Sequence, residues 1–220
     1  MLVRVNRYDR GEFLRAGAGG VIAVASGGLL LPTIADAQQP YSLPLDSGAP
    51  LPLTPQGDDV AFLAFATAAE RAARDLYAAA YAQAATGLSR SERRHIHQVS
   101  LGKRTHIMRL DAALGQDAPL PSDFVTVLPK HAVKTKARIV ALARTLELLL
   151  VGVYLTGIAN TQDPGSRLFL GQLLAYDVEQ AAWLRTLQGH ASPAGLYSPL
   201  DLEPAGAQLD QFLSTPDFPA

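Results

Sequence analysis

The chain predicts an all-α fold: an antiparallel four-helix bundle with a long crossover between helices two and three and a short C-terminal helix. Three observations carry that expectation. Four segments repeat apolar residues at three- and four-residue spacing, the period of a helix with one buried face. The links between the first and second segments, and between the third and fourth, are short, which makes each pair an antiparallel hairpin. The link from Gly115 to about Ala132 is longer and carries Pro119, Pro121 and Pro129. At up to about 3.3 Å per residue it can run the length of a helix of about 25 residues rising about 1.5 Å each. No segment reads as a convincing strand.

Composition narrows the class. With 220 residues, 48% hydrophobic and 18% charged, the chain can bury a sizeable core in one domain. A net charge of −1 supplies no field to draw in nucleic acid. The absence of cysteine excludes a disulfide partner, thiolate metal sites, iron–sulfur clusters and a cysteine nucleophile. Any metal would rest on His, Asp and Glu, a set that suits iron, manganese or zinc better than copper(I).

The elements follow in order. Residues 1–37 read as an export signal: Arg4, Arg7, Arg10 and Arg15 precede a Gly/Ala-rich apolar run, then Pro32 and the small residues Ala35 and Ala37, with cleavage expected after Ala37. The stretch DRGEFLRAG is similar to a twin-arginine signal at Arg10, Phe13, Leu14 and Arg15, with Gly11 standing where the second arginine belongs. This places the protein in the periplasm, cell envelope or exterior, and an uncleaved signal would make it a membrane tether. Residues 38–56, rich in Pro, Ser and Gly, form an extended lead-in. The bundle occupies residues 57–190. Its first helix opens at Asp58 as N-cap and runs to about 85; the second opens with the capping box Ser89–Glu92 and stops before Gly115. The third covers about 134–160, and the fourth starts near Ser166, behind Asp163-Pro164-Gly165, and ends near Gly189. Residues 191–220 pack on the bundle, and SPLDLEPAGAQLDQFL supplies the short final helix.

Each apolar stripe is broken near its middle by polar residues. Glu70 interrupts Leu63, Thr67, Tyr77 and Tyr81; Lys103 and His106 interrupt Val99, Leu110 and Leu114. Glu147 interrupts Val140, Ala143, Val151, Tyr154 and Ile158; Asp177 and Gln180 interrupt Leu170, Leu173, Leu184 and Leu187. Antiparallel packing gathers the six polar side chains into one layer. An ionised carboxylate there costs several kcal/mol unless it is compensated.

The layer resembles the ferritin-like superfamily, in which helices one and three each supply a glutamate and helices two and four each a Glu-x-x-His pair, together binding two metal ions. LAFATAAERAARDLYAAAY, KRTHIMRLDAALG, LARTLELLLVGVYL, DVEQAAWLRTL and the proline-marked tail are similar to exported bacterial ferritin-like domain proteins linked with desiccation or stress. The resemblance implies metal ligands at Glu70, His106 and Glu147. It also puts Lys103 and Asp177 in two glutamate places and Gln180 in a histidine place, so the di-metal site is degenerate. An ammonium cannot ligate and an amide ligates poorly.

The favoured expectation is therefore a buried polar network of Glu70, Lys103, His106, Glu147, Asp177 and Gln180, with the Lys103 ammonium in the role of a cation and no bound cofactor. The alternative keeps one iron, manganese or zinc ion on Glu70, His106, Glu147 and Asp177, with Lys103 turned outward. Elsewhere, His95 and His97 read as solvated, and His131 and His190 as loop or helix-end residues. Arg71, Arg74, Arg93, Arg94 and Arg104 read as outward, and Tyr77, Tyr81, Tyr154 and Trp183 as core packing. The functional expectation is an exported ferritin-like protein without redox activity, tied to envelope stress. The alternatives are a metal-dependent oxidase or ferroxidase, and a helical interaction module such as a homodimer.

Overall fold

The computed structural model describes residue 55 and residues 57–83, 86–190 and 197–214. The expected export signal, all of the lead-in but Pro55, and residues 191–196 and 215–220 of the C-terminal extension lie outside them. Five helices order the rest: α1 (Asp58–Ala82), α2 (Arg90–Leu114), α3 (Lys136–Asn160), α4 (Pro164–Leu187) and α5 (Leu202–Leu209). Helix α1 packs along α2, α3 along α4, and α1 along α3, while α5 lies against α3 and α1.

The caps explain where the expected boundaries shift. Helix α1 starts after Gly57, at φ 54°, rather than with Asp58 as its N-cap. Asp58 and Asp59 sit in its first turn, where carboxylates meet the positive end of the helix dipole. Asp59 also accepts the backbone N–H groups of Gln162 (2.8 Å) and Asp163 (2.9 Å), tying the start of α1 to the α3–α4 turn. The capping box of α2 forms as expected: Glu92 N–H donates to Ser89 Oγ at 3.2 Å, and Ser89 N–H to Glu92 Oε2 at 2.8 Å. Helix α4 begins two residues before Ser166, because Asp163 caps it and Pro164 takes the first helical position, where a missing N–H costs nothing.

Helix α1 is buried on nearly every side, with Ala64, Ala66, Ala68, Ala69, Ala72 and Ala73 all in the core. Small side chains all round let three neighbours approach one helix closely. Helix α3 is long and apolar enough, by length and composition, to cross a bilayer, but 67% of its most apolar window is inside the bundle. The crossover contains one departure from the all-helical expectation. Strand β1 (Val125–Thr126) pairs antiparallel with β2 (Leu213–Ser214), with Val125 opposite Ser214. Two-residue strands carry too little pattern to be legible in advance. They form because buried Phe212 pins the tail beside the crossover, and Phe212 C=O accepts from Val127 N–H at 2.8 Å. The tail also closes over α3 at Gly152, whose carbonyl accepts from Leu200 N–H at 2.9 Å. A Cβ at Gly152 would stand 2.7 Å from Leu200 Cβ, so only glycine admits this contact.

Candidate functional site

Glu70 of α1, Lys103 of α2, Glu147 of α3 and Asp177 of α4 meet at mid-height in the bundle, and all four side chains are fully buried. Lys103 Nζ lies 2.6 Å from Asp177 Oδ1, 3.0 Å from Glu147 Oε2 and 3.3 Å from Glu70 Oε2. The first two are aligned hydrogen bonds; the third is an ion pair that leaves Glu70 Oε2 without one.

The outer oxygens are held by tyrosines in a reciprocal pattern. Tyr77 of α1 donates to Glu147 Oε1 of α3 at 2.7 Å, and Tyr154 of α3 donates to Glu70 Oε1 of α1 at 2.7 Å. Each tyrosine stands seven residues after its own helix's glutamate, so antiparallel helices carrying the same spacing exchange the two bonds. His106 Nδ1 adds a second contact to Glu70 Oε1 at 3.2 Å. The sequence held this signal as Glu-x6-Tyr in both α1 and α3. Reading Tyr77 and Tyr154 as packing residues missed it, although a buried tyrosine hydroxyl needs a partner. Tyr81 does not join them: it is 40% exposed and stacks on His97 at 4.2 Å between ring centroids.

The electrostatics follow from burial and one cation. Burial pushes the Asp177 carboxyl well above the usual carboxylate range, and Lys103 only partly opposes it. Glu147 is raised for the same reason. Burial also acts on Glu70, but Lys103, His106 and Tyr154 together hold it below its ordinary value. Burial would lower Lys103, yet three surrounding acids keep its ammonium well above the normal lysine value. Asp177 Oδ2 is buried without a hydrogen-bond partner.

Tyr176 and His106 close the cluster on the α2–α4 side. Their rings meet edge to face at 4.7 Å, and Lys103 Nζ lies 5.9 Å from the centre of the Tyr176 ring. Gly102 makes room for this, since a Cβ there would stand 2.8 Å from Tyr176 Cζ and closer still to its hydroxyl. Burial raises Tyr176 to about 12, so its hydroxyl stays protonated at neutral pH. Two surface hollows, one along Pro164, Leu168 and Gly171 and one between Lys136 and His190, share no residue with the cluster.

Three expected placements change. Gln180 is buried, but it faces His95, with Gln180 Oε1 2.9 Å from His95 Nε2, rather than the acids. It lies three residues beyond Asp177, far enough along α4 to leave the cluster. His95, expected in solvent, is half-buried and packs on Trp183 at 4.0 Å between centroids. Arg71, expected outside, is buried and pairs with Asp111 at 3.0 Å, because nearly all of α1 is covered.

The family model for the ferritin-like domain matches residues 58–190, and the chain belongs to that family. No curated protein and no solved structure matches it. The fold therefore raises the question of a metal centre. Ligand atoms of Glu70, His106 and Asp177 lie within 4.8 Å of one another, close enough in spacing for one ion. Nζ of Lys103, however, stands against two of those three residues, at 2.6 Å from Asp177 and 3.3 Å from Glu70. An ammonium offers no lone pair, and Gln180, in the remaining histidine place, is engaged by His95. These residues as placed do not fit a metal centre.

Proposed function

We propose that this ferritin-like protein works without a di-metal redox centre, and that Lys103 of α2 serves as the internal cation binding the four helices together. One observation carries the reading: a single fully buried nitrogen within 3.3 Å of a carboxylate from each of the other three helices. The side chains then act structurally. Lys103 neutralises acids that would otherwise be stranded in a low-dielectric core, Tyr77 and Tyr154 satisfy their outer oxygens, and Tyr176 with His106 excludes water. Aerobic addition of iron(II) tests this: iron oxidation no faster than in buffer is expected. Catalysed oxidation with the stoichiometry of a ferroxidase would restore the alternative that rests on Glu70, His106, Glu147 and Asp177.

The reading extends to an exported protein serving in envelope stress. Its support is the arginine-led apolar segment ending at Ala37 and the resemblance of the bundle. Edman sequencing of protein recovered from the envelope fraction should begin at Gln38. Protein retained in the cytoplasm with residues 1–37 intact would end the export proposal.

A further inference from the structure

We propose that the outer face of α2, with Tyr81 of α1 beside it, docks on an anionic phospholipid bilayer. No residue of the buried cluster takes part, so failure of the docking would leave the metal-free reading standing.

Helical spacing defines the face. Arg90, Arg94, His97, Leu101, Arg104 and Met108 follow one another at alternating intervals of four and three residues, which aligns them along one side of α2. That side is turned away from Ile96, Val99, Ile107 and Leu110, which α2 buries in the bundle. From Arg90 to Met108 the row covers about 27 Å of helix. Leu101 is 44% exposed and Met108 60%, although both are large apolar side chains. Tyr81 widens the row, because its exposed ring stacks on His97.

The charges on this face are not answered within the chain. Both acids of α2 are engaged elsewhere, Glu92 with Lys136 at 2.7 Å and Asp111 with Arg71 at 3.0 Å. Arg93, one position off the row, is also used internally: it donates to the carbonyl oxygens of Tyr81 and Gln83 at the end of α1. By contrast Arg90, Arg94 and Arg104 are exposed, and among the described residues none of their guanidinium groups forms a hydrogen bond or an ion pair.

Arginines without acids to meet, interleaved with exposed apolar side chains, complement a surface that is anionic outside and apolar just beneath. The guanidinium groups can grip lipid phosphates with two hydrogen bonds each. Leu101 and Met108 then reach past the headgroups, and Tyr81 suits the boundary between water and hydrocarbon. The rest of α2 is fixed in the bundle, so the helix lies on the bilayer and does not cross it. Other occupants fit less well. A second copy docked antiparallel on this row would set Arg94 against Arg104, and a parallel one would set each arginine against itself. Nucleic acid offers phosphates but nothing for Leu101 and Met108. The whole chain carries only −1, so the attraction is local and acts within about 10 Å of the surface.

The absence of cysteine lets one introduced thiol report on one face. Full-chain Met108→Cys carrying an environment-sensitive fluorophore is mixed with vesicles of phosphatidylglycerol and phosphatidylcholine. A blue shift is expected, with quenching by lipids brominated in their acyl chains. Both should vanish on pure phosphatidylcholine and in about 1 M salt, where screening falls to about 3 Å. The same fluorophore at Leu168→Cys, on the outer side of α4, should stay silent, which separates docking by α2 from tethering by residues 1–37. Adding Arg90→Gln, Arg94→Gln and Arg104→Gln to the Met108→Cys chain should weaken the response about fivefold for each arginine removed. A silent Met108→Cys label, an equal response to pure phosphatidylcholine, or an equal response from Leu168→Cys would overturn the proposal. A response to polyglutamate or DNA with none to vesicles would assign the face to an acidic macromolecule and overturn it as well.

Discussion

Lys103→Met should lose about 3–5 kcal/mol of stability at neutral pH, the scale for breaking a buried ion pair from one side. Methionine fills much the same volume, so the loss is charge rather than packing. It strands Glu70, Glu147 and Asp177 around an apolar group, with only Tyr77, Tyr154 and His106 left to answer them. The sign of the pH dependence identifies the cause. Burial already raises Asp177 and Glu147 with the ammonium present; its removal raises both further and takes away the largest influence holding Glu70 down. Groups whose folded pKa exceeds the unfolded value bind more protons in the folded state, so stability falls as pH rises above the usual carboxylate range. Urea titrations between pH 4 and pH 8, with mutant and wild type compared at each pH (the two ends set by about where carboxylates and histidine titrate), should show a deficit that grows with pH. A pH-independent deficit would mean that Lys103 contributes packing only.

Lys103→Glu should have the opposite chemical result. It replaces the one group that cannot ligate with a fourth carboxylate, beside Glu70, His106, Glu147 and Asp177. The variant should be destabilised when metal-free, for the same reason as Lys103→Met, and should gain iron(II), manganese(II) or zinc(II) binding that restores its melting temperature. Binding at 100 times the dissociation constant would return about 2.7 kcal/mol. Calorimetric titration against wild type measures this directly. A variant that folds but takes up no more metal than wild type would show that the cluster is not one substitution away from a metal site.

Much of this was legible in the sequence. The short links, the long proline-marked crossover and the four interrupted stripes specify the bundle, because a helix must bury its apolar face and short links leave few ways to do so. The polar interruptions identify Glu70, Lys103, Glu147 and Asp177 as one layer, since antiparallel helices of equal length bring their midpoints together. Side-chain direction was the harder part. Gln180 and Asp177 share a stripe, yet a displacement of three residues along α4 turns one toward His95 and the other toward Lys103. Tyr81 continues the stripe of Tyr77 but lies a turn nearer the end of α1, where the bundle no longer covers it. Arg71 fails the opposite way: charge marks it as outward, but α1 has scarcely any outward side. The β1–β2 pair depends on a tail meeting a crossover more than 80 residues away, a contact that local pattern does not encode.

The account turns on a nitrogen occupying the space where this family's fold would gather metal. Elemental analysis of the folded protein, produced in medium supplemented with iron, manganese and zinc and then desalted, measures that occupancy. The account expects far less than one metal ion per chain. One or two ions retained per chain, lost on Glu70→Ala or His106→Ala, would show that Lys103 yields its place to metal and would contradict it.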